Sequence, residues 1–263
     1  MYNYTVSQWL LFFYIYCFLG WVWESCYVSL ENRKWTNRGF MKGPFLPIYG
    51  SGAIIILIAT IPFKEHLVVV FFMGMIAATL LEYVTGMAME AIFKVRYWDY
   101  SNEKFNVNGH ICLKCSLVWG GFSILMVRVI HVPIEHMVFR IPDYVAQILM
   151  LIITCIVAAD FTNSFRDAID LKNLLVQMTK NNEELNRIRK RVDVAVAFAQ
   201  EDKNQLHKKI EEAIKNAREE RNILMDEIAS KRFVKLLNRH PSAASRKFEQ
   251  AFTEFKNKYN IEK

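Results

Sequence analysis

The sequence predicts an all-α, polytopic membrane protein. About five transmembrane helices occupy residues 1–165, and a basic, helical cytoplasmic arm occupies residues 166–263. Three observations carry this reading. Five apolar segments (Ser7–Tyr27, Phe45–Phe63, Leu67–Phe93, Ile111–Ile130 and Tyr144–Phe165) approach or exceed the ~20 residues a bilayer-spanning helix needs. Charge is divided unevenly: residues 1–165 hold 11 of the 33 Lys/Arg and 10 of the 26 Asp/Glu, and the rest lie beyond. Past Phe165, Leu171, Leu174, Met178, Leu185, Ile188 and Val192 follow the three–four alternation of a coiled-coil seam.

In chain order, the first segment is expected to be a retained helix. MYNYTVSQ carries no charge, no small-residue cleavage site follows, and Glu24 ends the apolar run. The first loop holds Arg33, Lys34, Arg38 and Lys42; the second holds Lys64; the third holds Arg96 and Lys104. The fourth, from about His131 to Asp143, holds Arg140, with Arg128 at its edge, and the arm after Phe165 holds 22 Lys/Arg, so loops one and three and the arm read as cytoplasmic and the N-terminus as outside. Helix two is preceded by Gly39, Gly43, Pro44 and Pro47, with Gly50 and Gly52 in its first turns. Proline removes backbone donors and glycine permits unusual dihedrals. Two readings stay open: a broken helix start lining a cavity, or a plain loop before a helix from Ile48. On helix three, Gly74, Ala78, Glu82, Gly86 and Glu90 recur every four residues, a small-residue stripe suited to close helix approach. His131–Asp143 reads as an outer interfacial turn without chemistry. In the arm the seam slips around Ala199–Asn204 and resumes at Leu206, Ile210, Ala213, Ala217 and Leu224, so the arm either projects as a coiled coil or folds back. Asn238-Arg239-His240-Pro241-Ser242 is a stop signal, and a last helix is expected over Ala243–Tyr259.

Charges inside apolar runs are costly and mark function by default. In the predicted orientation Glu24, Glu82, Glu90, Lys114 and Asp160 all fall toward the cytoplasmic leaflet, which points to a polar cavity open to that side. The carboxylates can carry protons or bind a cationic ligand; equally, they can pair with Lys114, Arg38 or Arg96 to fix helix register. His110 is either a proton-handling group or an interfacial polar residue. No phosphate-cradling G-x-x-x-x-G-K-[ST], no H-E-x-x-H and no G-x-S-x-G occurs, so this chain carries no ATPase or hydrolase motif of its own. Cys112-x-x-Cys115 is a single pair with no second pair or nearby histidines, which argues for helix packing over a metal site. No metal or cofactor is expected. Nucleic acid is not an expected partner, because charges of both signs interleave along an arm tethered below an anionic leaflet.

Several motifs resemble a known family. GWVWE (Gly20–Glu24), NRGFMKGPFLPIYGSG (Asn37–Gly52), LEYVTGMAMEAIF (Leu81–Phe93), RYWDYS (Arg96–Ser101), FNVNGHICL (Phe105–Leu113) and SLVWG (Ser116–Gly120) are similar to the bacterial putative ABC-transporter type IV permeases. The likeness runs from about Gln8 to Asp160, and LLNRHPSAASRKF is similar to an ending many members carry. His110 departs from the Arg more usual before ICL, which makes charge there weaker and pH-dependent. The family pattern singles out Glu24, Asn37, Arg38, Gly39, Gly43, Pro44, Pro47, Tyr49, Gly50, Glu82, Glu90, Trp98, Asp99, Tyr100, Asn108 and Gly109. The resemblance implies a transport component at a bacterial plasma membrane, in a lipid bilayer, with a separate ATPase subunit as partner. A homodimer joined through the arm or the helix-three stripe is a second expectation. Two alternatives stand beside transport: an inner-leaflet enzyme acting on a lipid-linked substrate, or a scaffold working through its arm.

Overall fold

A computed structural model of the chain describes residues 4–31, 33–198, 211–212, 215–216, 219, 231–240, 242–259 and 261. It is helical almost throughout: α1 (Val6–Glu31), α2 (Pro47–Thr60) with a 3-10 turn at Ile61–Phe63, and α3 (Leu67–Phe93). After a two-stranded hairpin, β1 (Asn106–Val107) and β2 (Ile111–Cys112), come α4 (Leu113–Leu125), a π-turn (Met126–Ile130), α5 (His131–Phe139) and α6 (Asp143–Phe198). α7 (Lys231–Asn238) and α8 (Glu249–Lys258) close the chain.

Four stretches are long and apolar enough to cross a membrane: α1, α3, Leu113–Phe139 and Asp143–Glu183. The apolar helix Pro47–Phe63 is shorter; at ~1.5 Å per residue it spans about 25 Å, less than the ~30 Å hydrocarbon core. It starts at Pro47 because proline fits a first helical turn, where its missing N–H has no partner to lose. The irregular residues before it are tied to α1, where the Leu46 N–H donates to the Cys17 carbonyl at 3.0 Å. α1 and α2 approach closely because a Cβ on Gly20 would collide with the Tyr49 side chain and one on Gly50 with the Cys17 Sγ.

The α3 stripe is the buried face of its helix: Val70, Gly74, Ala78, Glu82 and Gly86 point inward. It is filled within the chain, chiefly by α4, where Ser123 lies against Gly74. A homodimer contact through this stripe is therefore not free. The opposite face of α3 (Val68, Phe72, Ile76, Leu80) and the outer face of α6 (Ile148, Leu151, Ile156) stay exposed and apolar, as a lipid-facing surface would.

Three sequence expectations need correction. Of the predicted turn at His131–Asp143, residues His131–Phe139 are helix continuing from α4. The π-turn shifts the hydrogen-bond ladder by one residue, with the His131 N–H reaching the Met126 carbonyl, so Pro133 enters without breaking the helix. Its buried His131 accepts or donates at 2.8 Å with the Tyr16 hydroxyl and 3.1 Å with the Tyr4 hydroxyl, so the segment is not chemically empty. The last helix begins at Glu249, not Ala243, because Ala244 forms an antiparallel bridge with Arg96 that holds this stretch extended. Finally, the hairpin was not anticipated. Asn108 and Gly109 both have positive φ in a tight turn, the chemistry of Asn-Gly hairpins.

α6 runs unbroken through residues 165 and 166, about 84 Å at ~1.5 Å per residue. Its first seam residues beyond the apolar run, Leu171, Leu174 and Met178, are buried in a second core with Phe233, Leu236 and Leu237 of α7 and Ala251, Phe252 and Phe255 of α8. The end of the chain thus returns and covers the start of the arm. The side chains of Leu185, Ile188 and Val192, the slip at residues 199–204 and the second seam run lie outside the described residues.

Candidate functional site

The loops before α2 and after α3 meet the returning tail at one end of the helical bundle. Around this end the sequence-predicted polar residues sort into three groups, distinguished by what each carboxylate touches.

The first group is built on Glu82. It projects from the small-residue face of α3 and is 8% exposed. Its oxygens accept from the Trp119 indole N–H of α4 at 2.9 Å and the Tyr100 hydroxyl at 3.1 Å. Among the described residues no cation pairs with it. Burial, then the nearby Glu82 charge, pushes the Tyr100 phenol up, which keeps it a neutral donor. Tyr49 lies edge-on to Trp119 at a ring separation of 5.9 Å and donates at 2.6 Å to Glu24, which Arg38 approaches at 3.7 Å. Glu24, Tyr49 and Glu82 thus form one contiguous patch across α1, α2, α3 and α4. Within this patch the side chains contact one another directly. Trp119 was not anticipated as a site residue, although its motif was.

The second group is built on Glu90, two turns further along α3. Arg96, 4% exposed, pairs with Glu90 at 2.8 Å and with Asp99 at 3.3 Å, and the His110 Nε2 lies 3.2 Å from the same Glu90 oxygen. Burial opposes the Arg96 charge, but Glu90 and then Asp99 outweigh it and raise its pKa. For Asp99 burial is likewise outweighed, by the Ser101 hydroxyl and backbone N–H and then Arg96, so its carboxyl sits below the ordinary range. Burial, then Arg96, lowers His110, so at neutral pH its contact with Glu90 is a hydrogen bond from a neutral ring. The Trp98 indole donates to the His110 carbonyl at 2.9 Å. The hairpin turn seals the group: Gly109 has φ +75°, and a Cβ there would strike Asp99, Ser101 and Arg96.

The third group joins the first loop to α6 and the tail. Asp160 accepts from the Lys42 and Gly43 N–H groups at 3.3 and 2.7 Å, and Lys42 Nζ pairs with the buried Asp167 at 2.9 Å. Asn37 accepts from the Trp21 indole at 2.6 Å and donates to the Lys42 carbonyl at 2.8 Å. From the tail, Arg239 donates to the Met41 and Phe40 carbonyls at 2.6 and 3.3 Å, while Arg38 donates to the Arg239 carbonyl at 3.0 Å. His240 is buried edge-on against Tyr97 at 4.7 Å. Burial, then Arg38 and Arg239, pulls its pKa well below the ordinary histidine value. The helix does stop at Asn238, as the sequence signal predicts, and Arg239 and His240 also plug the tail into the first loop and against Tyr97. Lys114, by contrast, is exposed on the first turn of α4 and belongs to none of the groups.

Cys112 and Cys115 are both free thiols, with sulfurs 3.1 Å apart. Among the described residues no set of three or more His, Cys, Asp or Glu is arranged to hold a metal ion.

Residues 11–165, more than half of the chain and the part that builds most of these groups, match the model of the family described as "Putative ABC-transporter type IV". No curated protein and no solved structure shows significant similarity to the chain.

Proposed function

Because the chain belongs to the family described as putative ABC-transporter type IV, we propose that it is the membrane subunit of a transport system in which Glu82 takes up a proton or a cationic group. One observation carries the reading: Glu82 is buried in a membrane-length helix, held by two neutral donors and paired with no cation among the described residues. Burying a carboxylate without a counter-charge is expensive, so such a group favours whatever positive species reaches it. Glu24, shared between Tyr49 and Arg38, is the second acidic position on the route. Lys and Arg concentrate in loops one and three and in the arm, which supports a cytoplasmic location for this end and for residues 166–263, in a bacterial plasma membrane. The transporter family to which the chain belongs supports a separate ATPase as the source of energy.

Affinity purification from the native membrane in mild detergent, followed by mass spectrometry, tests this. The expected result is a co-purifying ATPase whose nucleotide hydrolysis drives transport when the two are reconstituted. A bound lipid-linked precursor with no ATPase would contradict it and favour an enzyme.

A further inference from the structure

Beside the Glu90 group lies a cleft of about 520 Å³ lined by Met87, Glu90, Ala91, Lys94, Arg246 and Lys247. The proposed role of Glu82 and Glu24 does not use it. Its two walls differ in kind. Met87 and Ala91 belong to the last two turns of the membrane-length helix α3 and face outward, with Met87 46% exposed. The opposite wall is cationic: Lys94, immediately after the helix end, and Arg246 and Lys247 from the tail.

The cations are held in register. Lys94 caps α3 in the left-handed conformation, φ +58°. Its carbonyl accepts from the Ser245 hydroxyl at 2.6 Å, and the Arg96–Ala244 bridge fixes the preceding tail residue. Arg246 spends one N–H on the Ser101 hydroxyl at 3.0 Å, and Lys247 lies over the Phe248 ring at 5.6 Å. The one carboxylate in the lining, Glu90, pairs at 2.8 Å with Arg96, which Asp99 shares at 3.3 Å. Four cations thus stand against two carboxylates, and the cleft keeps a net positive charge at the level where an apolar helix ends.

From this we infer that the cleft binds the phosphate headgroup of an anionic phospholipid, with an acyl chain along Met87 and Ala91. A soluble anion would have no use for the apolar wall, whereas a lipid satisfies both walls at once. Because Arg246 and Lys247 come from the tail and Lys94 from the bundle, the bound headgroup joins the two. The inference requires only that α3 crosses a membrane; it does not depend on the chain being a transporter.

The test uses full-length protein in neutral detergent, with bound lipid counted by native mass spectrometry after addition of phosphatidylglycerol or phosphatidylcholine. One phosphatidylglycerol per chain should be retained over phosphatidylcholine. Each interfacial cation is worth about fivefold in affinity, so the Lys94→Gln/Arg246→Gln/Lys247→Gln variant should weaken retention on the order of a hundredfold. Ala91→Glu, a change at an exposed position that leaves the tail contacts intact, should also abolish it, and Lys104→Gln/Arg140→Gln should leave it unchanged. Equal retention by wild type and Ala91→Glu would overturn the inference. So would equal binding of the two lipids together with displacement by millimolar inorganic phosphate, which would make the site one for a soluble anion.

Discussion

Glu82 and Glu90 occupy the same helix two turns apart, and their surroundings are opposites. Glu90 is 26% exposed in its side chain, pairs with a buried arginine and shares an oxygen with a histidine. Glu82 is more deeply buried and, among the described residues, hydrogen-bonds a tyrosine hydroxyl and an indole and no cation. The difference separates the carboxylate that fixes the structure from the one on which the proposed function rests. A buried arginine without its partner is severely penalised, so Glu90 and Arg96 hold the third loop, the hairpin and the tail in place. Glu82 pairs with no cation among the described residues, and in the proposed function its charge takes a mobile partner.

The sharpest challenge to this division falls on the structural side. Arg96→Gln leaves Glu90 and Asp99 facing each other without a cation, and should cost about 3 kcal/mol, the low end for breaking a buried pair because both carboxylates retain contact with water. Chemical or thermal unfolding of the purified protein would register it. A loss below half that value would mean the Glu90 group is peripheral. Next in size, Trp119→Phe removes one of the two donors on Glu82 with a stability change of about 1 kcal/mol. The smallest effect concerns the plug. His240 has a folded-state pKa below its unfolded value, so the unfolded chain binds the extra proton first. Tail docking is then fully stable above the ordinary histidine pKa of about 6.5 and weakens as pH falls below it. His240→Phe keeps the edge-on contact with Tyr97 and should flatten that pH dependence, measured as protease sensitivity of the tail between pH 7 and 5.

The membrane helices were legible because a run of ~20 apolar residues has few other uses. The α3 stripe was equally clear, since four-residue spacing of Gly74, Ala78, Glu82 and Gly86 names one helix face. What the sequence did not disclose was pairing. Nothing in the spacing says that Arg96 takes Glu90 while Glu82 takes Trp119; that depends on the hairpin at Asn108–Gly109 folding the chain back over Arg96. The helix stop at Asn238 was read correctly, but the contacts made just after it were hidden for a related reason. Arg239 and His240 look like ordinary punctuation after a helix, and their role depends on contacts to Met41 and Tyr97, about two hundred and one hundred and forty residues away in sequence. The shape of the arm was left open between projecting and folding back, because Leu171, Leu174 and Met178 fit a seam whether the covering helix comes from a second copy or from the same chain.

The most direct measurement is nucleotide-driven transport by reconstituted Glu82→Gln and Glu90→Gln proteins with the partner ATPase, each normalised to the amount of folded protein. The account predicts that Glu82→Gln folds as well as wild type and loses transport by about two orders of magnitude or more, the scale on which a positioned proton-carrying side chain acts. Glu90→Gln should fold less stably and transport normally per folded molecule. Wild-type transport by Glu82→Gln, or a selective transport defect in a fully stable Glu90→Gln, would contradict it.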